Sequence, residues 1–469
     1  MKILLVRYHD GSDINTRLPK SLNKRRGVMP PLGLLSIAAY LEKSGYDIKV
    51  IDAVAEGLTD KNFEYLVREY DPDICGVTTM LENYLGACQA CKIAKSCGVT
   101  TVIGGPGLEI YPKEMIDKDY IDYGIVGEGE ETFLQLVKAI EYEDCNKIMS
   151  IAGVSHKISG KIVSGFPQIV QNLDLLPRPA YHLINLANYS SLINDHPIIT
   201  YMMGRGCPFQ CSFCVKQETD KSIRFRSPKL VVDDIEYLIT KYRIKEFMFY
   251  DDTFTLSLKQ VMGICEEILK RGIKVKFEAP TRIDSIVTPE GLGLLKKLRQ
   301  AGCYRLRLGV ESGDPAILKS MNKNISLLNI ELAFKRCHEI GIQTFAYLMV
   351  GYLGENQNTF ENTINLAIKL NPNHAMFTIA TPYPKTKLYE DSFREGIVPY
   401  DYWKDFISEK TSERIPYLVP DAENFAKNAY RRFYFRPKYF IKSILALRNK
   451  QHIKNYISGL LGLVLFNKD

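Results

Sequence analysis

Short apolar, β-branched runs alternate along this chain with segments whose apolar positions recur every three to four residues. Near the amino terminus Lys2–Val6, Asp47–Ile51, Ile74–Thr79, Thr101–Ile103 and Tyr123–Val126 read as strands. Pro31–Lys43, Lys61–Tyr70, Leu85–Ser96 and a stretch from Glu131 read as the helices between them. Such alternation with short connections predicts a parallel sheet covered on both faces. Between Ile151 and Ile199 the rhythm weakens to one hairpin over Val154–Val163 and a proline-containing stretch, Leu176-Pro177-Arg178-Pro179. It resumes with strand-like Thr200–Met203, Glu246–Tyr250, Lys274–Glu278, Arg305–Val310, Gln343–Val350 and Ala375–Ala380. Six such units predict a partial (β/α)6 barrel, short of the usual eight. The expected α/β organisation is therefore a Rossmann-like unit over 1–150, a linker over 151–195, the partial barrel over 196–390 and a helical segment over 391–469.

Composition adds constraints. With 46% apolar and 25% charged residues, the 469-residue chain has the balance of a folded, water-soluble protein of more than one domain. The charge is uneven. Tyr430–Asp469 carries nine Lys or Arg against one Asp, more than the formal +7 of the whole chain. A basic, aromatic tail on a near-neutral body points to an acidic surface as partner, and nucleic-acid binding has no motif here beyond charge. Within the tail Ile441, Ile444, Leu445 and Leu447 recur at near-helical spacing, and 456–466 is nearly all apolar but too short to span a bilayer. Aromatic and basic residues together can hold a helix at an anionic membrane surface; the alternative is a helical pair packed on the barrel. No export signal opens the chain, so a cytoplasmic protein is expected, peripheral at a membrane if the tail binds one. Eleven cysteines in such a chain argue against a disulfide framework, and most, such as Cys75 in an apolar run, read as buried thiols. His9, His182, His196 and His374 are scattered without pairing and read as structural.

Three cysteines stand apart, in Gly204-Arg205-Gly206-Cys207-Pro208-Phe209-Gln210-Cys211-Ser212-Phe213-Cys214. The C-x3-C-x2-C spacing, in a Gly-flanked loop after a predicted strand, puts three thiolates on one tight curve. A structural zinc site needs four ligands, and the only other close pair, Cys88-x2-Cys91, lies in a predicted helix of the other domain. A cubane cluster held by three cysteines keeps one iron open.

This run resembles the signature of the radical S-adenosylmethionine (SAM) enzymes. The resemblance implies that Cys207, Cys211 and Cys214 hold a [4Fe–4S] cluster whose fourth iron binds SAM, and that SAM is cleaved to a 5′-deoxyadenosyl radical. Phe213, Asp251, Asp252, Glu311, Ser312 and Gly351 fall in segments similar to those that hold SAM in the family. Two departures stand beside this: Met349-Val350-Gly351-Tyr352-Leu353-Gly354-Glu355 lacks a proline common in relatives, and Lys385 replaces a glycine. Arg205, Arg282 and Arg307 are candidate anion anchors.

The front of the chain resembles the cobalamin-binding domain that precedes many radical SAM barrels. Pro30-Pro31-Leu32-Gly33-Leu34, Asp52, Gly104-Gly105-Pro106 and Gly127-Glu128-Gly129-Glu130-Glu131-Thr132 carry the likeness. It makes Asp52, Gly104, Gly105, Gly127, Glu128 and Gly129 candidates to border the corrin, since glycines let backbone approach a flat ligand closely. No Asp-x-His-x-x-Gly motif is present to supply a lower histidine to cobalt, and Gly107 stands where relatives often carry histidine. The function implied is a cobalamin-dependent radical SAM enzyme that methylates an unactivated carbon of a small molecule, hydrophobic or lipid-like if the tail meets a membrane. A flavodoxin or ferredoxin would donate electrons. Oxidative cyclisation or rearrangement is the alternative, a non-catalytic cobalamin-responsive binding protein a second. Methylthiotransfer fits less well, because Cys88, Cys91 and Cys97 crowd one helix and its end.

Overall fold

The computed structural model describes residues 1–9, 27–194, 197–244, 246–439, 441 and 450–465. His196 and the tail positions Ile444, Leu445 and Leu447 lie outside the described residues. Two sheets organise the chain. The first contains β1 (Lys2–Arg7), β2 (Asp47–Asp52), β3 (Ile74–Thr78), β4 (Thr100–Gly104), β5 (Tyr123–Ile125), β6 (Val154–Ile158) and β7 (Lys161–Val163), in the order β2-β1-β3-β4-β5-β6-β7. The first five are parallel, while β6 and β7 add antiparallel at the edge. The hairpin read as part of the linker thus belongs to this sheet. His156 of β6 pairs with Tyr123 of β5, which covers an edge that would otherwise expose unpaired backbone.

The second sheet runs β8 (Ile198–Tyr201), β9 (Glu246–Phe249), β10 (Phe277–Thr281), β11 (Cys303–Glu311), β12 (Gln343–Val350) and β13 (His374–Ile379) in sequence order, all parallel. Six parallel strands with helices outside make the expected partial barrel. Its open edge, β13, is covered by the helix Ala422–Tyr434. There Phe433 is fully buried, the Tyr430 hydroxyl accepts from Phe377 N–H at 3.2 Å, and the Tyr434 hydroxyl accepts from Ala375 N–H at 3.0 Å. The aromatic residues of the basic segment are therefore largely spent on packing.

The two units share their interior. One apolar cluster joins Leu4, Val77 and Ile103 of the first sheet to Tyr383, Trp403 and Phe406 from the far end of the chain. Trp403 is buried and donates its indole N–H to the Pro382 carbonyl at 2.8 Å, the partner a buried indole requires. Cys75, Cys88 and Cys91 are buried in the first unit. Among the described residues no helix is long and apolar enough to cross a membrane.

Candidate active site

The carboxyl-terminal ends of both sheets face one cavity of about 2440 Å³. An ordinary ligand pocket measures about 300–1,000 Å³, so this space takes more than one small ligand. From the first unit Gly33, Gly104, Gly105, Gly127, Glu128 and Gly129 line it; Phe213, Cys214 and Asp252 line it from the barrel. The cavity continues into the barrel between Met248, Arg307, Tyr347 and Met376, and reaches Tyr456 of the terminal helix.

The cysteine loop leaves the barrel just after β8. Gly204–Arg205 pairs antiparallel with Arg224–Phe225, and residues 206–223 loop out between them. Gly206 has φ +95°, and a Cβ there would lie 2.5 Å from the Ser222 carbonyl oxygen, so glycine alone lets the two arms close. Cys207 and Cys211 are partly exposed and Cys214 is exposed. Two cations attend them. Arg282 Nη1 donates to Cys211 Sγ at 3.8 Å, and Lys216 Nζ to the Cys207 carbonyl at 3.3 Å. Burial pushes the Cys214 thiol up to about 11, against the pull of Lys216. Three thiols on one loop with two cationic neighbours, Cys214 among them lining the cavity, fit a cluster with three protein ligands. Among the described residues no three His, Cys, Asp or Glu side chains converge on a single-ion site. A cubane binds its thiolates at separate corners, so convergence is not required of them.

The expected SAM residues divide into two groups. Phe213 and Asp252 face the cavity. The others are engaged within the chain. Asp251 is buried, and its Oδ1 accepts from Gly204 N–H at 2.7 Å and Met203 N–H at 3.1 Å, tying the base of the cysteine loop to the end of β9. Burial pushes its carboxyl up to about 7. Glu311, at φ +64°, pairs with Lys323 at 2.7 Å. The Ser312 hydroxyl lies 3.1 Å from Thr363 Oγ1 and accepts from Asp314 N–H at 3.1 Å. Gly351, at φ +69°, packs where a Cβ would come 2.4 Å from Ala422 Cβ.

On the opposite wall Gly104 ends β4 and Gly105 follows it, while Gly127 follows β5. The glycines present bare backbone to the cavity, and at Gly105 and Gly127 the chain's own packing also demands them. A Cβ on Gly105 would lie 2.3 Å from the Thr79 carbonyl oxygen, and one on Gly127 2.4 Å from Gln168 N. A wide wall of bare backbone and apolar side chains such as Leu34 and Val77 fits a flat macrocycle. Asp52 is fully buried, held by Arg7 at 2.9 and 2.5 Å and by the Tyr189 hydroxyl at 2.9 Å. The arginines considered as anion anchors are each matched by a carboxylate: Arg282 by Asp284 at 2.8 Å, Arg307 by Glu278 at 2.5 Å, and Arg205 by Glu130 at 2.6 Å. Burial alone would raise the Glu278 carboxyl, but Arg307 and Arg305 outweigh it and hold it below its usual value.

Several cross-domain partners escaped the sequence reading. Glu109 accepts from the Thr219 N–H and hydroxyl, both at 3.0 Å, and Arg224 meets Glu128 through two bonds. The available signal was Arg224-Phe225-Arg226 itself: two arginines at strand period flanking an aromatic, in a segment that had to pack.

Comparison with known proteins agrees with this geometry. The Radical SAM superfamily model matches residues 201–367, and the B12 binding domain model matches residues 21–137. The chain is 33% identical over 448 residues to an uncharacterized methyltransferase of Pyrococcus horikoshii, covering 92% of this chain and 93% of that one. It is 29% identical over 423 residues to the anaerobic magnesium-protoporphyrin IX monomethyl ester cyclase of Rubrivivax gelatinosus, covering 87% of this chain and 74% of the relative. Among solved structures, the cobalamin-dependent SAM radical enzyme OxsB, with aqua-cobalamin and SAM bound, shares the fold at TM-score 0.73 and 18% identity, over 99% of this chain and 72% of that one. The radical SAM methyltransferase TsrM from Kitasatospora setae shares it at TM-score 0.67 and 19% identity, over 84% and 78%. The chain belongs to the radical SAM enzymes that carry an amino-terminal cobalamin-binding domain, and its cofactors are a [4Fe–4S] cluster, SAM and cobalamin.

Proposed function

We propose that this enzyme methylates an unactivated carbon of a small, largely apolar molecule. The observation that carries the reading is the single cavity that the corrin-side glycines and the cysteine loop line together. When bound, the cluster and SAM supply hydrogen-atom abstraction, and cobalamin supplies a methyl carrier. In this reading Cys207, Cys211 and Cys214 hold the cluster while Phe213 and Asp252 face SAM. Asp251, Glu311, Ser312 and Gly351 shape the loops around it. Gly104, Gly105, Gly127 and Gly129 border the corrin and Asp52 steadies that wall, with 1–150 and the edge hairpin of β6 and β7 as the cobalamin-binding unit and 196–390 as the barrel.

Met248, Met349 and Met376, from three strands, give the cavity a soft, polarisable wall that suits a bulky apolar body. The helix Lys450–Leu465 exposes Ile453, Ile457 and Leu461, four residues apart, beside Lys454. That stripe supports a peripheral contact with an anionic membrane, where such a substrate would dissolve. A flavodoxin or ferredoxin is the electron donor proposed.

The test is anaerobic protein supplied with cobalamin, with iron and cobalt quantified, then assayed for SAM cleavage and for transfer of label from methyl-labelled SAM into solvent-extractable product. Label in product, lost together with cluster and cleavage in Cys211→Ala, supports the reading. Cleavage without label transfer, with both metals bound, overturns methylation in favour of a cyclisation, the reaction type named for the cyclase relative.

A further inference from the structure

Residues 206–223, which carry all three loop cysteines, are closed at their base by the ribbon in which Gly204 pairs with Phe225 and Arg205 with Arg224. That register sets two guanidinium side chains directly across from one another, an arrangement that is repulsive by itself. The compensating charge comes from the other domain. Glu128 accepts from Arg224 Nη1 and Nη2 at 2.8 and 2.7 Å and pairs with Arg205 at 3.0 Å. Glu130, in the first turn of the helix Gly129–Glu141 that begins just after Glu128, takes Arg205 at 2.6 Å and accepts from Ser36 Oγ at 2.7 Å. The backbone between the domains joins in: Val170 N–H donates to Glu128 at 2.7 Å, and its carbonyl accepts from Arg224 at 2.6 Å. Side-chain exposures of 4% for Glu130, 8% for Arg224 and 12% for Glu128 leave little room for salt to screen these charges. Two cations and two anions balance only when the domains are docked.

We propose that Glu128 and Glu130 are positioning residues that lock the base of the cysteine loop, so that docking of the amino-terminal domain completes the cluster site. Without the two carboxylates the barrel holds a ribbon whose paired residues repel. The Gly127-Glu128-Gly129-Glu130 turn then has two roles, its glycines facing the cavity and its acids holding the loop. The inference rests on the assignment of the cluster to Cys207, Cys211 and Cys214.

The experiment uses anaerobically purified, cofactor-loaded protein, and reads amide exchange of residues 206–223 and iron retained after a chelator challenge. Glu128→Gln keeps the shape and removes the charge; it speeds exchange of the loop by at least about tenfold and lowers retained iron. The diagnostic variant is the double substitution Glu128→Gln with Arg224→Gln. Removing one of the opposed cations returns loop exchange toward wild type, a recovery that a merely space-filling carboxylate would not give. If Glu128→Gln does not accumulate, Glu130→Gln, which leaves Glu128 facing both arginines, shows a smaller rise confined to the same residues. Unchanged exchange in both single variants, or no recovery in the double variant, overturns the proposal. Wild-type iron content is read separately: iron-free wild type with variant-dependent exchange removes the cluster assignment and keeps the lock.

Discussion

Replacing Asp251 by asparagine separates two forces acting on the same buried side chain. Its Oδ1 holds Gly204 N–H and Met203 N–H, which favours the carboxylate, while burial disfavours it and wins, carrying the carboxyl from 3.8 to about 7. The folded chain therefore keeps this proton to higher pH than the unfolded chain does. Stability falls as pH rises from about 4 to about 7 and is level above that. The full gap corresponds to about 4 kcal/mol, of which about 2–3 kcal/mol falls between pH 5 and 8. Asparagine keeps an oxygen for the same two donors and does not titrate, so its chain lacks this slope. Alanine also lacks the slope and leaves both N–H groups unpaired, which costs about 2–6 kcal/mol at every pH. Urea unfolding of the three chains at pH 5, 6, 7 and 8 measures all of this. Glu355, which burial also raises to about 7, contributes equally to each chain and cancels in the differences. A wild-type-minus-D251N difference that stays flat with pH, or a D251N chain no more stable than D251A, would refute the argument.

Gly105→Ala places a Cβ 2.3 Å from the Thr79 carbonyl oxygen at φ +122°, so strain of about 1–3 kcal/mol or more is expected with reduced cobalamin uptake. Gly33→Ala, with nothing within 4 Å of its Cβ, is the control: a thermal melt should fall for the first and hold for the second. Lys323→Met leaves Glu311 buried without its partner, and a loss of about 3–5 kcal/mol follows unless the carboxyl takes up a proton. Thermal melts at pH 5 and 8 check this, because proton uptake makes the variant's deficit smaller at the lower pH.

Elements specified by local pattern were legible, and features that depend on distant partners were not. The strands β1, β3 and β12 follow from continuous apolar runs, and the cysteine loop from spacing within eight residues, Cys207 to Cys214. The third barrel strand was expected at Lys274–Glu278, whereas β10 spans Phe277–Thr281. Glu278, the last residue of the expected strand, is fully buried beneath Arg305 and Arg307. The segment after 390 read only as helical, although Trp403 and Phe406 complete a core begun by β1 and β3. Asp251 was expected to hold SAM and Glu128 to border the corrin, whereas their observed partners are Gly204 and Arg224. Their partners stand 47 and 96 residues away, and no periodicity encodes such a pairing.

The distribution of charge around the cavity constrains the substrate. Arg205, Arg282 and Arg307 point toward the site in sequence, but each is matched by a carboxylate at 2.5–2.8 Å. An anionic substrate entering the barrel would have to compete with Glu278, which Arg305 and Arg307 already share, and breaking that buried pairing costs about 3–5 kcal/mol. A neutral, apolar body meets no such cost. Against Met248, Met349 and Met376 it gains about 25 cal/mol for each Å² removed from water. Matched arginines and a methionine wall therefore favour the same class of molecule, one whose affinity comes from buried apolar area. For the apolar substrate proposed above, the reacting carbon is the one that rests between the cysteine loop and the glycine wall.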